Sequence, residues 1–289
     1  MKSLDFKALF LFTPVQTQHT MNQEELLKQL EVVCKISFKA GEEILTIYNS
    51  DFAVEHKDDK SPLTEADKNA HLKILEGLSG IGFPILSEEG RSIPFDERKN
   101  WDYFWMVDPL DGTKEFVKRN GEFTVNIALI HQQKAILGVI YVPVKDELYF
   151  GADGIGAFKV DSFSKVVETN NLKDWMSTVN QLPKKLDRPY TIVGSRSHMS
   201  PETEEFINKR KAEKGNLEII SVGSSLKLCM VAEGKADDYP RFAPTMEWDT
   251  AAGQAIVEAM GGKVINWKTQ ERMMYNREKL LNDWFLVTV

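Results

Sequence analysis

The stretch Trp105-Met106-Val107-Asp108-Pro109-Leu110-Asp111-Gly112-Thr113-Lys114-Glu115-Phe116 constrains the chain more than any other. Tyr103 to Val107 is an unbroken aromatic and aliphatic run, which predicts a buried strand. Pro109 has no N–H for a sheet ladder, so the strand is expected to stop at Asp108 and turn. Asp111 follows three residues after Asp108, Gly112 permits a tight backbone path, and Thr113 is the expected N-cap of a helix. Two carboxylates, the Leu110 carbonyl between them and a helix start then converge at one strand end. Oxygen ligands suit a hard divalent cation, and helix N–H groups suit a phosphate. The same residues also make an ordinary capped strand-to-helix loop, and the Asp-Pro-Leu-Asp-Gly core alone leaves both readings open.

With 289 residues the chain is long enough for two packed units or one large one. Its 42% hydrophobic and 27% charged content is that of an ordinary globular protein. The net charge of −7 argues against a general binder of nucleic acid, which needs clustered cations along the phosphate backbone. A small anion held in a local basic pocket and bridged by metals remains compatible with it. Cys34 and Cys229, the two cysteines, each sit in an apolar stretch, which predicts reduced core residues and a cytoplasmic protein. No apolar run reaches the ~18 residues of a membrane span, though peripheral membrane association stays open. Ala8 to Phe12 is apolar and follows Lys2 and Lys7, but it is short and no Ala-x-Ala cleavage site follows, unlike a signal peptide. Met21 opens directly onto a helical pattern, so residues 1–20 are expected to be a disordered extension from an upstream start codon, dispensable for fold and activity.

Asn22 to Tyr48 reads as a long amphipathic helix, with Leu26, Leu30, Val33, Cys34, Phe38 and Ile44 at helical spacing. Ser61-Pro62 marks a turn, and Thr64 with Asp67 has the spacing of a capped second helix through Leu78. Capping leaves Asp59, in the loop before it, unexplained. Pro84-Ile85-Leu86 is a short strand ending in Glu88-Glu89, a pair that by itself reads as a solvated loop. At a strand end, neighbouring side chains point opposite ways, so one of the two can face a site. Phe123 to Ile130, Ala135 to Val142, Leu148 to Phe150 and Ala157 to Val160 predict a large antiparallel meander. His131 is placed as an exposed turn residue in its first hairpin. Beyond a boundary near Lys165 the pattern changes to strand, small-residue turn, helix, repeated. Such α/β units gather their sites at strand ends, which makes Ser195 and Arg196 substrate-binding candidates. Gly223, Ser224 and Ser225 open a helix through Leu226 and Val231, where by residues alone a plain helix cap with Lys227 on the surface is the favoured reading. Asp249 is a credible N-cap of the last long helix, which stops at Gly261-Gly262.

Asp108-Pro109-Leu110-Asp111-Gly112-Thr113 resembles the signature of the inositol monophosphatase superfamily, the lithium-sensitive, Mg²⁺-dependent phosphatases. Lys57-Asp58-Asp59-Lys60-Ser61-Pro62-Leu63-Thr64-Glu65-Ala66-Asp67 is similar to its K-x-D-x-S-P-x-T-x-A-D motif, and Trp248-Asp249-Thr250-Ala251-Ala252-Gly253 to its W-D-x-A-A-G motif. Lys114-Glu115-Phe116 looks like the CysQ-type 3′(2′),5′-bisphosphate nucleotidase branch; inositol monophosphatases more often show Asn before that Phe. The resemblance covers Met21 to Val289. It implies an α+β and α/β chain, a two-domain layered α-β-α-β-α sandwich. Residues 21–165 would carry the large antiparallel sheet and the metal site, and residues 166–289 the nucleotide-binding loops. It implies two Mg²⁺ ions per site, or three. Glu88, Asp108 and the Leu110 carbonyl would hold one; Asp108, Asp111 and Asp249 would hold the second. Asp59, Glu88 and Thr113 would be catalytic, orienting and deprotonating the attacking water. Gly112, Thr113, Ser195, Arg196, Gly223, Ser224, Lys227, Arg241 and Asp249 would bind substrate, with Lys227 and Arg241 on a 5′-phosphate. The implied reaction removes the 3′-phosphate of 3′-phosphoadenosine 5′-phosphate, giving AMP and phosphate. The alternative is an inositol mono- or polyphosphate phosphatase, or another sugar phosphatase of the same superfamily. The implied partner is a small nucleotide and no nucleic acid polymer, with the chain acting as a monomer or homodimer.

Overall fold

A computed structural model describes residues 21–50, 65–194 and 200–289. The expected extension, the Thr64 cap, Asp59, Ser195 and Arg196 lie outside these residues. The elements run α1 (Gln23–Tyr48), α2 (Glu65–Leu78), β1 (Ile85–Ser87), α3 (Phe95–Arg98), β2 (Tyr103–Asp111), α4 (Thr113–Val117), β3 (Thr124–His131), β4 (Lys134–Val142), β5 (Glu147–Ala152), β6 (Gly156–Asp161) and α5 (Leu172–Trp175). They continue with β7 (Tyr190–Gly194), α6 (Pro201–Lys214), β8 (Leu217–Ser221), α7 (Leu226–Glu233), β9 (Asp238–Arg241), α8 (Ala251–Ala259), β10 (Lys263–Asn266) and β11 (Phe285–Thr288).

The first sheet has six strands in the order β1-β2-β3-β4-β5-β6, antiparallel except for the β1–β2 pair. The second has five, in the order β10-β11-β9-β7-β8. Leu30, Val33 and Ile44 of α1 and Ala70 and Ile74 of α2 pack on one face of the first sheet, against Trp105, Val107, Ile127 and Val139. The opposite face, with Phe104, Met106, Ala128 and Ile140, meets Leu228 and Val231 of α7, Ile256 of α8 and Val193 and Phe285 of the second sheet. Phe206 of α6 covers the outer side of that sheet with Ile192, Phe242 and Leu286. The layers are therefore α, β, α, β, α. α8 lies so close to β4 that a side chain on Gly138 would place its Cβ 2.1 Å from the Ala252 carbonyl oxygen.

Ser200 caps α6 through its hydroxyl, with Pro201 in the first turn, and both cysteines are buried and unpaired. His131 is no free turn residue: its ring stacks on Tyr103 at 4.1 Å, and Gln132 and Gln133, both at positive φ, make the hairpin turn. Two such φ values suit the twist of a tight hairpin, which frees His131 to end its strand.

Candidate metal centre and anion cavity

The strand that carries the acids does not stop at Asp108. β2 continues to Asp111, with a register shift between Asp108 and Asp111. Asp108 pairs with Asn126 and Asp111 with Thr124, so three steps on β2 match two on β3. A bulge accommodates Pro109, which cannot donate to the ladder. It also decides which way the acids face. Side chains alternate along a strand, so residues three apart would face opposite sides of the sheet. The extra residue brings Asp108 and Asp111 to one side, and Leu110 packs into the core on the other.

The same alternation selects Glu88. Leu86 pairs with Met106 and Ser87 with Val107, and the Glu88 N–H donates to the Val107 carbonyl at 3.1 Å. Leu86 and Met106 face the second core, so Glu88 and Asp108, two residues further on, extend that face. Asp249 reaches the same place from the turn before α8. Carboxylate oxygens of Glu88, Asp108 and Asp249 lie within 4.8 Å of one another.

Asp108 is fully buried; its Oδ1 accepts from the Leu110 N–H at 3.1 Å, and its Oδ2 is buried with no hydrogen-bond partner among the described residues. Burial, with Glu88 and Asp111 beside it, pushes its carboxyl far above the usual range. Burial and Asp111 likewise hold Asp249 well up. Burial of its carboxyl and then Asp111 raise Glu88 to about 7, although the residue as a whole is exposed. Buried like charges of this kind are stable only as neutral acids or around a cation. Three carboxylates this close, one with a buried oxygen lacking a hydrogen-bond partner among the described residues, fit a hard divalent metal. The Leu110 side chain is committed to the core, so only its carbonyl remains available as a ligand.

Asp111 is held differently. Its Oδ2 accepts from the Ser224 hydroxyl at 2.6 Å, the Ser225 N–H at 2.6 Å and the Ser225 hydroxyl at 2.7 Å, at the start of α7. Thr124 bonds Ser224 at 2.8 Å, and the Asn126 amide donates to the Ser225 hydroxyl at 2.9 Å. The Ser225 hydroxyl also lies 2.7 Å from the Asp249 carbonyl. This network ties β2 and β3 of the first sheet to the start of α7 and the turn before α8. Thr124, Asn126 and Ser225 are absent from the expected site residues. Asn126 had a signal, being a lone amide inside the apolar run Val125 to Ile130.

Two expected caps are corrected. Gly112, at φ 92°, is the N-cap of α4, and Thr113 is its first residue. A side chain at Gly112 would be pressed to 3.1 Å from the Glu122 carbonyl oxygen and the Ser224 Cβ, and the left-handed backbone there favours glycine. Asp249 does not cap α8, whose N-cap is Thr250. Its Oδ2 instead accepts from the Met246 N–H at 2.8 Å, which closes its own turn.

Beside the acids lies a cavity of about 640 Å³ that shares Asp111 and Asp249 with them and is lined by Gly112, Gly223, Ser224, Lys227 and Arg241. Lys227 is buried; its Nζ donates to the Ser224 carbonyl at 2.9 Å and sits 5.9 Å from the centre of the Tyr239 ring. Burial lowers it to about 8. Arg241 donates through Nη2 to the Pro244 carbonyl at 2.9 Å, while its buried Nε has no hydrogen-bond partner among the described residues. A phosphate in the cavity would suit both cations as a charge-assisted acceptor.

The profile of the inositol monophosphatase family matches residues 24–285. The chain belongs to that family. It is 43% identical over 264 residues to the 3′(2′),5′-bisphosphate nucleotidase CysQ of Salmonella typhimurium, covering 90% of this chain and 99% of that one. The crystal structure of CysQ from Bacteroides thetaiotaomicron, a bacterial member of the inositol monophosphatase family, has 48% identity and a TM-score of 0.84, with 92% of this chain and 99% of that one covered. Within the family the chain is therefore of the CysQ type. An inositol monophosphatase from Anabaena shares the fold at 24% identity and a TM-score of 0.66 over 91% of each chain. No helix among the described residues is long and apolar enough to cross a membrane.

Proposed function

We propose that this inositol monophosphatase family member is a metal-dependent phosphatase that removes the 3′-phosphate of 3′-phosphoadenosine 5′-phosphate, yielding AMP and inorganic phosphate. The observation that carries the reading is the juxtaposition of a buried Asp108 oxygen with a cavity holding Lys227 and the Nε of Arg241, the oxygen and the Nε having no hydrogen-bond partner among the described residues. One part calls for cations and the other for an anion. The names of the CysQ relatives support the nucleotide as substrate.

Glu88, Asp108, Asp111, Asp249 and the Leu110 carbonyl would hold two Mg²⁺ ions, or three. A metal held by these residues would offset their repulsion and would supply acidification of a water and stabilisation of charge on the phosphoryl group. Hydrolysis forms a bond from a water oxygen to phosphorus and breaks the bond to the 3′-oxygen. Glu88 would accept the water's proton, Thr113, at the head of α4, would orient that water with Asp59 assigned to the same task, and the departing 3′-oxygen would take a proton from solvent water to become the hydroxyl of AMP. Gly112, Gly223 and Ser224 would let main-chain N–H groups approach the substrate, whose second phosphate Lys227 and Arg241 would hold. Ser195 and Arg196 remain candidates for the same substrate. The acids and the cavity cations come from a single chain, which suits a monomer or a homodimer with independent sites. The two unpaired, buried cysteines support a cytoplasmic setting.

Phosphate release from the bisphosphate nucleotide should vanish in excess EDTA and return on adding Mg²⁺. Full turnover in excess EDTA would refute the reading.

A further inference from the structure

Two residues before Asp249 stands a second carboxylate that takes no part in the cluster. Glu247 is fully buried. Its Oε2 accepts from the Asn276 N–H at 2.6 Å, and its Oε1 from the Arg277 N–H at 3.1 Å and the Arg277 Nε at 3.0 Å. The loop it grips is held in turn: the Asn276 side chain accepts from Arg98 Nη1 at 2.7 Å and donates to the Arg98 carbonyl at 2.8 Å. Arg98 also reaches the Glu278 carbonyl at 3.0 Å. From the far end of that loop, the Asn282 amide donates to the Met246 carbonyl at 2.7 Å and the Thr250 hydroxyl at 3.1 Å. The turn bearing Asp249 is thus fastened on both sides to residues 276–282.

A buried carboxylate is expensive to desolvate, and an apolar residue would fill the same space more cheaply. What the charge supplies is a fixed geometry. Asp249 must stand beside Glu88 and Asp108 against their mutual repulsion, and the bond its carboxylate accepts from the Met246 N–H lies within its own turn. That turn must therefore be held from outside. We infer that Glu247, with Arg277 and Asn276, is the positioning clamp that presets Asp249 for metal. Glu247 touches neither substrate nor metal; it acts through Asp249. This inference rests on the metal-site reading above.

The test is Mn²⁺ binding to the whole protein without substrate, by calorimetry, for the wild type, Glu247→Gln and the milder Arg277→Lys. Glu247→Gln should weaken Mn²⁺ affinity by about 10–100-fold, the range for groups that orient metal ligands, and Arg277→Lys should weaken it less. At saturating Mg²⁺ the KM for nucleotide should stay unchanged. In an Asp249→Asn background, Glu247→Gln should cause no further loss, because the clamp then has nothing to position. If Glu247→Gln does not fold, Arg277→Lys and its Asp249→Asn partner carry the comparison. A lowered melting temperature with unchanged Mn²⁺ affinity, or a further loss in the Asp249→Asn background, would overturn the clamp alone. A wild type that binds no Mn²⁺ would overturn the metal site with it.

Discussion

The acid cluster and the neighbouring cavity are built from different materials. Glu88 and Asp108 project from paired strands of the first sheet, and their direction follows from strand register. Lys227 and Arg241 belong to the second half of the chain, at the start of a short helix and the end of a short strand. Among the described residues, Asp108 Oδ2 on one side and Arg241 Nε on the other are buried without a hydrogen-bond partner. Asp111 stands between the two regions, with one oxygen committed to the serines that open α7. Charge of one sign is left incompletely paired on each side, so each region calls for a ligand of the opposite sign. A phosphate ester with metal would satisfy both.

The largest test of this contrast removes a charge from the acid side. Asp108→Asn should abolish phosphatase activity by orders of magnitude while the melting temperature holds or rises, because the change relieves buried repulsion. A variant with near-normal turnover in Mg²⁺ would break the contrast at its centre. On the cavity side, Lys227→Ala should cost about 1–3 kcal/mol in kcat/KM on 3′-phosphoadenosine 5′-phosphate, the worth of a charge-assisted contact. The loss should reach kcat as well as KM, since binding energy from a remote phosphate helps orient the reacting one. It should be much smaller on 3′-AMP, which lacks the 5′-phosphate. Equal losses on both would mean that Lys227 supports only the fold or the acids.

The smallest effect is on stability. Folding raises Glu88 to about 7 and raises Asp108 and Asp249 as well. Unfolded carboxyls titrate near about 4. The neutral acids therefore favour the fold below that value, and their contribution is lost as pH rises toward the folded values. In EDTA the melting temperature should drop by a few degrees between about pH 4.5 and 7.5. Glu88→Gln should flatten part of that drop, and Mg²⁺ should reverse it. A metal-free melting curve with no such slope in the wild type, or one unchanged by Glu88→Gln, would contradict the assigned repulsion.

Strand and helix positions were legible in the sequence because strand alternation and helical spacing are local patterns, whereas the set of acids and the layering came from the family resemblance. Leu30, Val33 and Ile44 announced the first core, and the apolar run through Val107 announced its central strand. The bulge was not legible: Pro109 predicted a stop, whereas pairing with β3 carries the strand on to Asp111. The roles of Thr113 and Asp249 as caps were misread for a related reason. Gly112 takes the left-handed position, and the Met246 N–H takes the Asp249 oxygen. Asn126 and Ser225 meet across 99 residues, and Glu247 meets Arg277 across 30. No local pattern encodes such partners; only the packed sheets bring them together.

The most direct test of the central claim measures phosphate release from 3′-phosphoadenosine 5′-phosphate and from inositol 1-phosphate, side by side, at saturating Mg²⁺. Adjacent cation-seeking and anion-seeking regions predict a higher kcat/KM for the nucleotide, with the preference shrinking in Lys227→Ala. A wild-type protein that hydrolyses inositol 1-phosphate faster would contradict the account and place the inositol phosphatase reading in its stead.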